Sequence, residues 1–332
     1  MSPSLRIAII GSGSWATALA KLFLNNTGHI NWFIRKEEDA EYIKTYKNNA
    51  RYLSAVEFDT SKINFYSDVS ACIKNSDYLV LAIPSAFLAD SFSGLSQNTF
   101  ENKIIFSAIK GIVPQHNLIV GEYLNKIFGV PLQNIGVITG PCHAEEVALE
   151  KLSYLTIASI NTDNAQTVSG LVNCRYLKSS VSDDIYGTEY SAVLKNVIAV
   201  AGGICHGLGY GDNFLAVLVS NAIQEIKRFV DAVHPIDRDI MASAYLGDLL
   251  VTAYSQFSRN RMFGTMLGKG YSVKQAQLEM NMVAEGYYAV KCVYEINKNY
   301  KVHMPITSAV YNIIYQGGNV RKEINDLSNL LS

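Results

Sequence analysis

The sequence predicts an α/β fold in two parts, a doubly wound parallel sheet followed by an all-helical C-terminal domain. Three observations carry that prediction. Short apolar runs alternate with helix-period segments up to about Asp184; the first of those runs enters a glycine fingerprint; and beyond Asp184 strand-like runs give way to helical periodicity. With 332 residues and 49% hydrophobic content the chain can bury two cores, divided here as 1–184 and 185–332.

The first run, Leu5–Ile10, is continuously apolar, as a central parallel strand covered on both faces should be. It leads into Gly11-Ser12-Gly13-Ser14-Trp15-Ala16 and a helical stretch from Thr17 to Leu24. This is a G-x-G-x-x-A fingerprint in a strand–turn–helix setting, so the N-terminal half is expected to be Rossmann-like. Gly11 permits the tight turn, Gly13 lets the backbone approach a pyrophosphate at the helix N-terminus, and Ala16 takes the helix-packing position. The second strand, Asn31–Ile34, ends on Arg35-Lys36 where an acidic residue would hold the ribose of NAD. Cations there suit a 2′-phosphate, so NADP is favoured over NAD, with Glu37 or Glu38 as the alternative ribose partner.

A polar helix over about 36–49 precedes Asn49-Ala50-Arg51-Tyr52-Leu53. Further strands are expected at Asp77–Ser85, broken by Pro84, and at Lys103–Ala108, Ile135–Thr139, Leu155–Ile160 and Cys174–Ser180. Ile135–Thr139 leads to Gly140-Pro141-Cys142-His143-Ala144, a loop feeding a helix at the sheet's carboxyl edge. Cys142 and His143 have no visible catalytic partners, and Lys110, after Ile109, is a loop lysine that either faces the site or is solvated.

In the second half, helices are expected over 188–204, 213–233, 236–256, 272–280, 283–298 and 305–316, with an active site in the cleft beside the nucleotide domain. Apolar residues at 193, 194, 197, 198, 200 and 201 wrap most of the first helix, and Lys195 sits among them. Such an ammonium must be paired, reach water, or lose its proton, and a lysine tuned toward neutrality is a general acid or base. A lysine snorkelling from a partly exposed face is the plain alternative. Asp248 and Thr252 share one helix face, and a buried Asp248 needs a cation, for which Lys195 is the natural choice. Gly202 to Asn213 reads as a glycine-dense bend between helices, with His206 as a proton carrier or, more plainly, a loop histidine. Ser258-Arg259-Asn260 could cap a helix whose amides, with Arg259, grip a phosphate.

A net charge of −1 argues against a nucleic-acid partner. Five cysteines, at 72, 142, 174, 205 and 292, have no C-x-x-C spacing, which points to free thiols in a reducing, cytoplasmic setting with no metal cluster. No apolar run approaches a membrane span, and the N-terminus before Gly11 is too short for a signal peptide.

Taken in order, G11-S-G-S-W-A-T-A-L-A20, N49-A-R-Y-L53, V80-L-A-I-P-S85, K110-G111, G140-P141 with A144-E145, K195-N196-V-I-A199, G207-L-G-Y-G-D-N213, G247-D248 with T252, S258-R-N-R261 and A284-E285-G286 resemble the NAD(P)-dependent glycerol-3-phosphate dehydrogenases of the soluble bacterial type. The resemblance covers essentially the whole chain. It implies reduction of dihydroxyacetone phosphate to sn-glycerol 3-phosphate, a precursor of phospholipids, by a homodimer. By the same resemblance Lys195 is the proton donor and acceptor. Ser14, Trp15, Arg35, Lys36, Lys110 and Arg259 contact the cofactor, NADP or NAD, and Ala144, Val283 and Glu285 lie nearer its nicotinamide end. Lys110, Gly140, Cys142, Lys195, Asp248, Ser258, Arg259 and Asn260 hold the substrate. Two positions depart from the family: Ala16 where many relatives have glycine, and Cys142 where a hydroxyl residue is usual, which leaves only a backbone amide contact there. Two rival readings are a β-hydroxyacid dehydrogenase of similar architecture and a non-catalytic NAD(P)H-binding redox sensor. The second has no use for a proton donor combined with a phosphate clamp.

Overall fold

The computed structural model describes residues 5–255, 258–280 and 284–332. The chain divides into two units: one runs to Ile109 and resumes over Val120–Ile185, and the other comprises Lys110–Ile119 with Tyr186–Ser332.

The first unit is built from short, buried strands alternating with helices. In order these are β1 (Ile7–Ile10), α1 (Ser14–Asn26), β2 (Ile30–Phe33), α2 (Glu37–Tyr46), β3 (Ile63–Tyr66), α3 (Val69–Lys74), β4 (Tyr78–Leu81), α4 (Leu88–Ser91) and β5 (Ile104–Ser107). A two-stranded hairpin of the second unit intervenes, β6 (Ile112–Val113) with β7 (Leu118–Ile119). The first unit then continues through α5 (Val120–Phe128), β8 (Ile135–Thr139), α6 (Ala144–Ala148), β9 (Ser153–Ser159), α7 (Thr162–Val172) and β10 (Leu177–Ser182). The sheet has eight strands in the order β10-β9-β8-β5-β4-β1-β2-β3. The chain leaves β1 toward β2 and β3, then returns to place β4 on the other side of β1, so the order reverses at β1, where a doubly wound sheet opens a crevice.

The sheet is not parallel throughout. β8 and β9 run antiparallel, with Gly136 opposite Ser159. The connection between them carries only the five-residue α6, and the strand comes back alongside β8. Gly136 has no room for a side chain, since an added Cβ would lie 2.2 Å from the Phe106 ring.

The second unit is helical apart from the hairpin, whose Ile112 and Ile119 are buried in the helical core; that burial is why 110–119 belongs here and not with the sheet. Its helices are α8 (Ile185–Gly207), α9 (Asp212–Val233), α10 (Asp248–Tyr254), α11 (Arg259–Gly268), α12 (Val273–Glu279), α13 (Glu285–Tyr300), α14 (Pro305–Tyr315) and α15 (Val320–Ser328). The helix expected over 236–256 starts only at a π-helical turn, Ser243–Gly247, that runs into α10. Pro235 ends α9's periodicity, and Arg238 folds back to Asp231 at 2.5 Å and to the His234 carbonyl at 2.8 Å, leaving 235–242 as a loop. None of the described helices is long and apolar enough to cross a membrane.

Gly202 and Gly203 are not a bend between helices; both lie inside α8. Their role is close packing. A Cβ at Gly203 would lie 2.1 Å from the Arg261 carbonyl oxygen, and one at Gly207 2.4 Å from that of Thr265. From the other side, a Cβ at Gly264 would lie 2.1 Å from the Val200 carbonyl oxygen, and one at Gly268 2.3 Å from that of Ile204. Each helix thus presents two glycines four residues apart, and the backbones of α8 and α11 touch with no side chain between them. Gly264→Ala must push the two helices apart, and the expected cost is about 1–3 kcal/mol, read as a lowered thermal midpoint. Gly170→Ala in α7, where an added Cβ meets nothing within 4 Å, serves as the control and leaves the midpoint unchanged or higher. Equal midpoints for both variants would contradict the close-contact reading.

Candidate active site

Along α8 the neighbours of Lys195 are core residues: Val193, Leu194, Val197, Ile198, Val200 and Ala201 are all buried. The Lys195 side chain is itself only 6% exposed, which excludes snorkelling into solvent. Its Nζ donates to Oδ1 of Asp248, whose side chain is 1% exposed. The same carboxylate accepts from Lys110 Nζ, at 3.3 Å to Oδ1 and 3.2 Å to Oδ2. Two ammonium groups therefore share one carboxylate inside the helical unit.

The electrostatics follow from that count. Burial, reinforced by the nearby Lys110 charge and only partly offset by Asp248, pulls Lys195 down to about 7. Burial by itself would raise Asp248, but the two lysines outweigh it and hold the carboxyl below its ordinary value. The cluster is positioned from both sides. The Thr252 hydroxyl donates to the Asp248 carbonyl at 2.7 Å, and the Asn196 carboxamide donates to the Lys110 carbonyl at 2.7 Å, tying the start of the hairpin to α8.

The segment 258–260 opens α11. Ser258 is its N-cap, its hydroxyl accepting from the Arg261 amide at 3.3 Å. Arg261 is engaged, donating to the Tyr254 carbonyl at 2.9 Å, whereas Arg259 is exposed beside the first-turn amides. Asn260 is buried, and its oxygen accepts from the Gly286 amide at 2.9 Å, so a ligand contact falls to its nitrogen. Gly286 in turn abuts α8, where an added Cβ would lie 2.7 Å from the Asn196 carbonyl oxygen. Asn260, Gly286 and the residue next to Lys195 are thus in series.

In the first unit, Gly11 has φ +135° and no space for a side chain: an added Cβ would lie 2.4 Å from the Ala82 carbonyl oxygen. Gly13 is the N-cap of α1 and offers no side-chain cap, no acidic residue stands in the first turn, and a Cβ on Gly13 would meet nothing within 4 Å. The helix therefore presents uncapped amides of Ser14 and Trp15 beside open space, and the buried Trp15 Nε1 has no partner among the described residues. Donors without acceptors at a helix N-terminus fit the pyrophosphate of a dinucleotide. At the tip after β2, Arg35 and Lys36 are exposed. Lys36 lies 3.4 Å from Glu38, Arg51 reaches Glu38 at 3.5 Å and Asp39 at 3.2 Å, and Arg35 forms no salt bridge among the described residues.

Gly140, φ +123°, packs against the Tyr154 carbonyl, 2.9 Å from where its Cβ would be. Cys142 is buried; its thiol donates to the Tyr154 carbonyl at 3.1 Å and its amide to the Gly140 carbonyl at 2.8 Å. That amide, the contact expected to substitute for a missing hydroxyl, is already used within the loop. Ala144 begins α6 and Glu285 begins α13, whose positive end its carboxylate complements. Val283 lies outside the described residues.

Three positioning residues carry no role in the sequence reading. Asn49 donates to the Ser12 carbonyl at 3.1 Å and the Thr17 hydroxyl at 2.9 Å, and Trp32 Nε1 donates to the Gly11 carbonyl at 2.7 Å, so the glycine turn is held from behind. Asn196 is the third. Its signal was available: an amide-bearing side chain in an otherwise apolar helix demands a partner.

Comparison with known proteins bears on the family. Residues 6–165 match the family of the NAD-dependent glycerol-3-phosphate dehydrogenase N-terminus, and residues 184–325 that of its C-terminus. A glycerol-3-phosphate dehydrogenase [NAD(P)+] of Chlorobium limicola is 32% identical over 97% of both chains, and one of Streptococcus pneumoniae is 34% identical over 97% of this chain and 96% of its own. The crystal structure of a glycerol-3-phosphate dehydrogenase from Coxiella burnetii superposes with a TM-score of 0.89 at 26% identity, covering 98% of each chain. With both halves matched in order and full-length relatives above 30% identity, the chain belongs to the NAD(P)-dependent glycerol-3-phosphate dehydrogenase family.

Proposed function

We propose that this chain reduces dihydroxyacetone phosphate reversibly to sn-glycerol 3-phosphate with NAD(P)H, Lys195 acting as general acid and, in reverse, as general base. The buried Lys195–Asp248–Lys110 cluster carries this reading. Ser14, Trp15, Arg35, Lys36, Lys110, Ala144, Arg259, Val283 and Glu285 would hold the dinucleotide, which supplies the hydride when bound. Gly140, Cys142, Ser258, Arg259 and Asn260 would hold the substrate beside Lys110, Lys195 and Asp248.

The chain's own part is proton management. As the carbonyl carbon is reduced, its oxygen gains negative charge. Lys195 transfers a proton to that oxygen, so the alkoxide never accumulates, and Lys110 adds positive potential to the same oxygen. Asp248 holds both ammonium groups in place. Arg259 and the α11 amides grip the phosphate, and that remote binding energy orients the carbonyl. A β-hydroxyacid substrate has no use for a second anion clamp of this kind, and a redox sensor has none for the proton donor. The five free cysteines support a reducing, cytoplasmic setting, and a homodimer is part of the same proposal.

Lys195→Ala should lower kcat in a steady-state assay with dihydroxyacetone phosphate by about 100-fold or more while NAD(P)H still binds. Near-normal turnover would exclude Lys195 as the acid.

Reduction needs the protonated amine, so its kcat/KM should fall as pH rises through about 7, and oxidation should rise over the same interval. Asp248 raises the Lys195 pKa and Lys110 lowers it. Asp248→Asn should therefore move the limb to lower pH and Lys110→Met to higher pH. Shifts in the same direction would refute the assignment of the limb to this cluster.

Arg35, exposed at the β2 tip and without a salt bridge among the described residues, supports a preference for NADPH. Arg35→Ser should cost about tenfold in kcat/KM for NADPH, the scale of one lost charge-assisted contact, with little change for NADH. Equal losses for both cofactors would place the arginine away from the 2′-phosphate.

A further inference from the structure

Thr188, Ser191 and Lys195 stand three and four residues apart on α8, and all three are buried, so one face of the helix carries a polar row. Ser191 is the anomaly in that row. It is 2% exposed, yet its Oγ has no hydrogen-bond partner among the described residues. Helical hydroxyls elsewhere in this chain settle the matter locally by donating to the carbonyl four residues back. Thr252 does so to Asp248 at 2.7 Å, Thr265 to Arg261 at 2.9 Å and Ser220 to Ala216 at 3.0 Å. Ser191 does not take that bond. A buried hydroxyl left without a partner is unfavourable unless something that binds completes it.

Its place suggests what binds. Long helical side chains lean back over the preceding turn, so the Lys195 side chain is carried toward the turn that holds Ser191. The chemistry narrows it further. If Lys195 serves the reacting oxygen and Arg259 with the α11 amides serves the phosphate, one polar group of dihydroxyacetone phosphate is unaccounted for, the primary hydroxyl on the carbon next to the carbonyl. The lysines can only donate, and the Asp248 carboxylate, which both lysines hold, can only accept. A serine hydroxyl can both donate and accept.

We infer that the Ser191 hydroxyl hydrogen-bonds the primary hydroxyl of the substrate and selects hydroxymethyl ketone phosphates over their deoxy counterparts. This rests on the assignment of Lys195 to the reacting oxygen.

The test compares wild type and Ser191→Ala with two substrates, dihydroxyacetone phosphate and acetol phosphate, which has a methyl group in place of the hydroxymethyl. Where acetol phosphate turnover is slow, its inhibition constant is measured instead. Wild type should prefer dihydroxyacetone phosphate. Ser191→Ala should lose about tenfold in kcat/KM for it, the factor expected for one neutral hydrogen bond, with little change for acetol phosphate, so the preference collapses. The thermal midpoint should hold or rise, since an unpaired hydroxyl is removed and alanine favours the helix. Equal losses with both substrates, or an unchanged preference, would overturn the inference. Failure of wild type to reduce dihydroxyacetone phosphate would instead overturn the proposed function, and the two failures are read from different rows of the same experiment.

Discussion

The burial of one ammonium group is the constraint on which the helical unit depends. A lysine side chain 6% exposed among Val193, Leu194, Val197 and Ile198 cannot keep its charge without a partner. Asp248 supplies one, and is itself buried only because two cations face it. An Asp248–Lys195 pair standing alone would stabilise both charged forms and make the lysine a poor acid. Burial works against the Lys195 charge most strongly, and Lys110, which shares the carboxylate and repels that charge, adds to it, so the amine lies close to neutrality.

Holding three long side chains in that geometry requires a rigid frame, and glycine provides it. The α8–α11 contact is backbone on backbone at Gly203, Gly207, Gly264 and Gly268, so the two helices have one relative position with no rotamer to absorb error. Gly286 repeats the device between α13 and Asn196, and its amide holds Asn260. The start of α11 is therefore registered against the turn of α8 that carries Lys195. Substitutions at these glycines, although they touch no ligand, bear on the chemistry through this frame.

Much of this was legible in the sequence, and the reasons for the rest are physical. Lys195 stands out because a charge flanked by apolar residues at 193, 194, 197 and 198 is a conflict needing resolution, and Asp248 because a carboxylate in another largely apolar helix is its counterpart. The glycine turn was legible because strand, turn and helix agreed locally. The glycines of α8 misled, since Gly202 and Gly203 signal a bend by propensity and only the tertiary contact with α11 turns them into packing residues. The hairpin of Ile112–Val113 with Leu118–Ile119 and the edge strand Ile63–Tyr66 were too short to show a period. The antiparallel return of β9 was hidden because its residues read as a buried strand in either direction. Asn49, Trp32 and Asn196 hold backbone carbonyls, and which carbonyl a side chain meets is a property of the fold.

The charge count of the cluster also indicates what the site favours. Two ammonium groups sharing one carboxylate repel each other in a poorly solvated place, and part of the Lys195 proton's instability comes from that repulsion. An anion held close by relieves it. A phosphate-bearing substrate placed beside this cluster therefore favours the protonated amine, so binding of the molecule to be reduced promotes the state of Lys195 that can protonate it. A neutral ketone would bring no such relief and would meet an amine more often deprotonated. In the proposed mechanism, phosphate recognition at α11 and proton donation from α8 are in this sense one electrostatic device, and Lys110 is the residue that couples them.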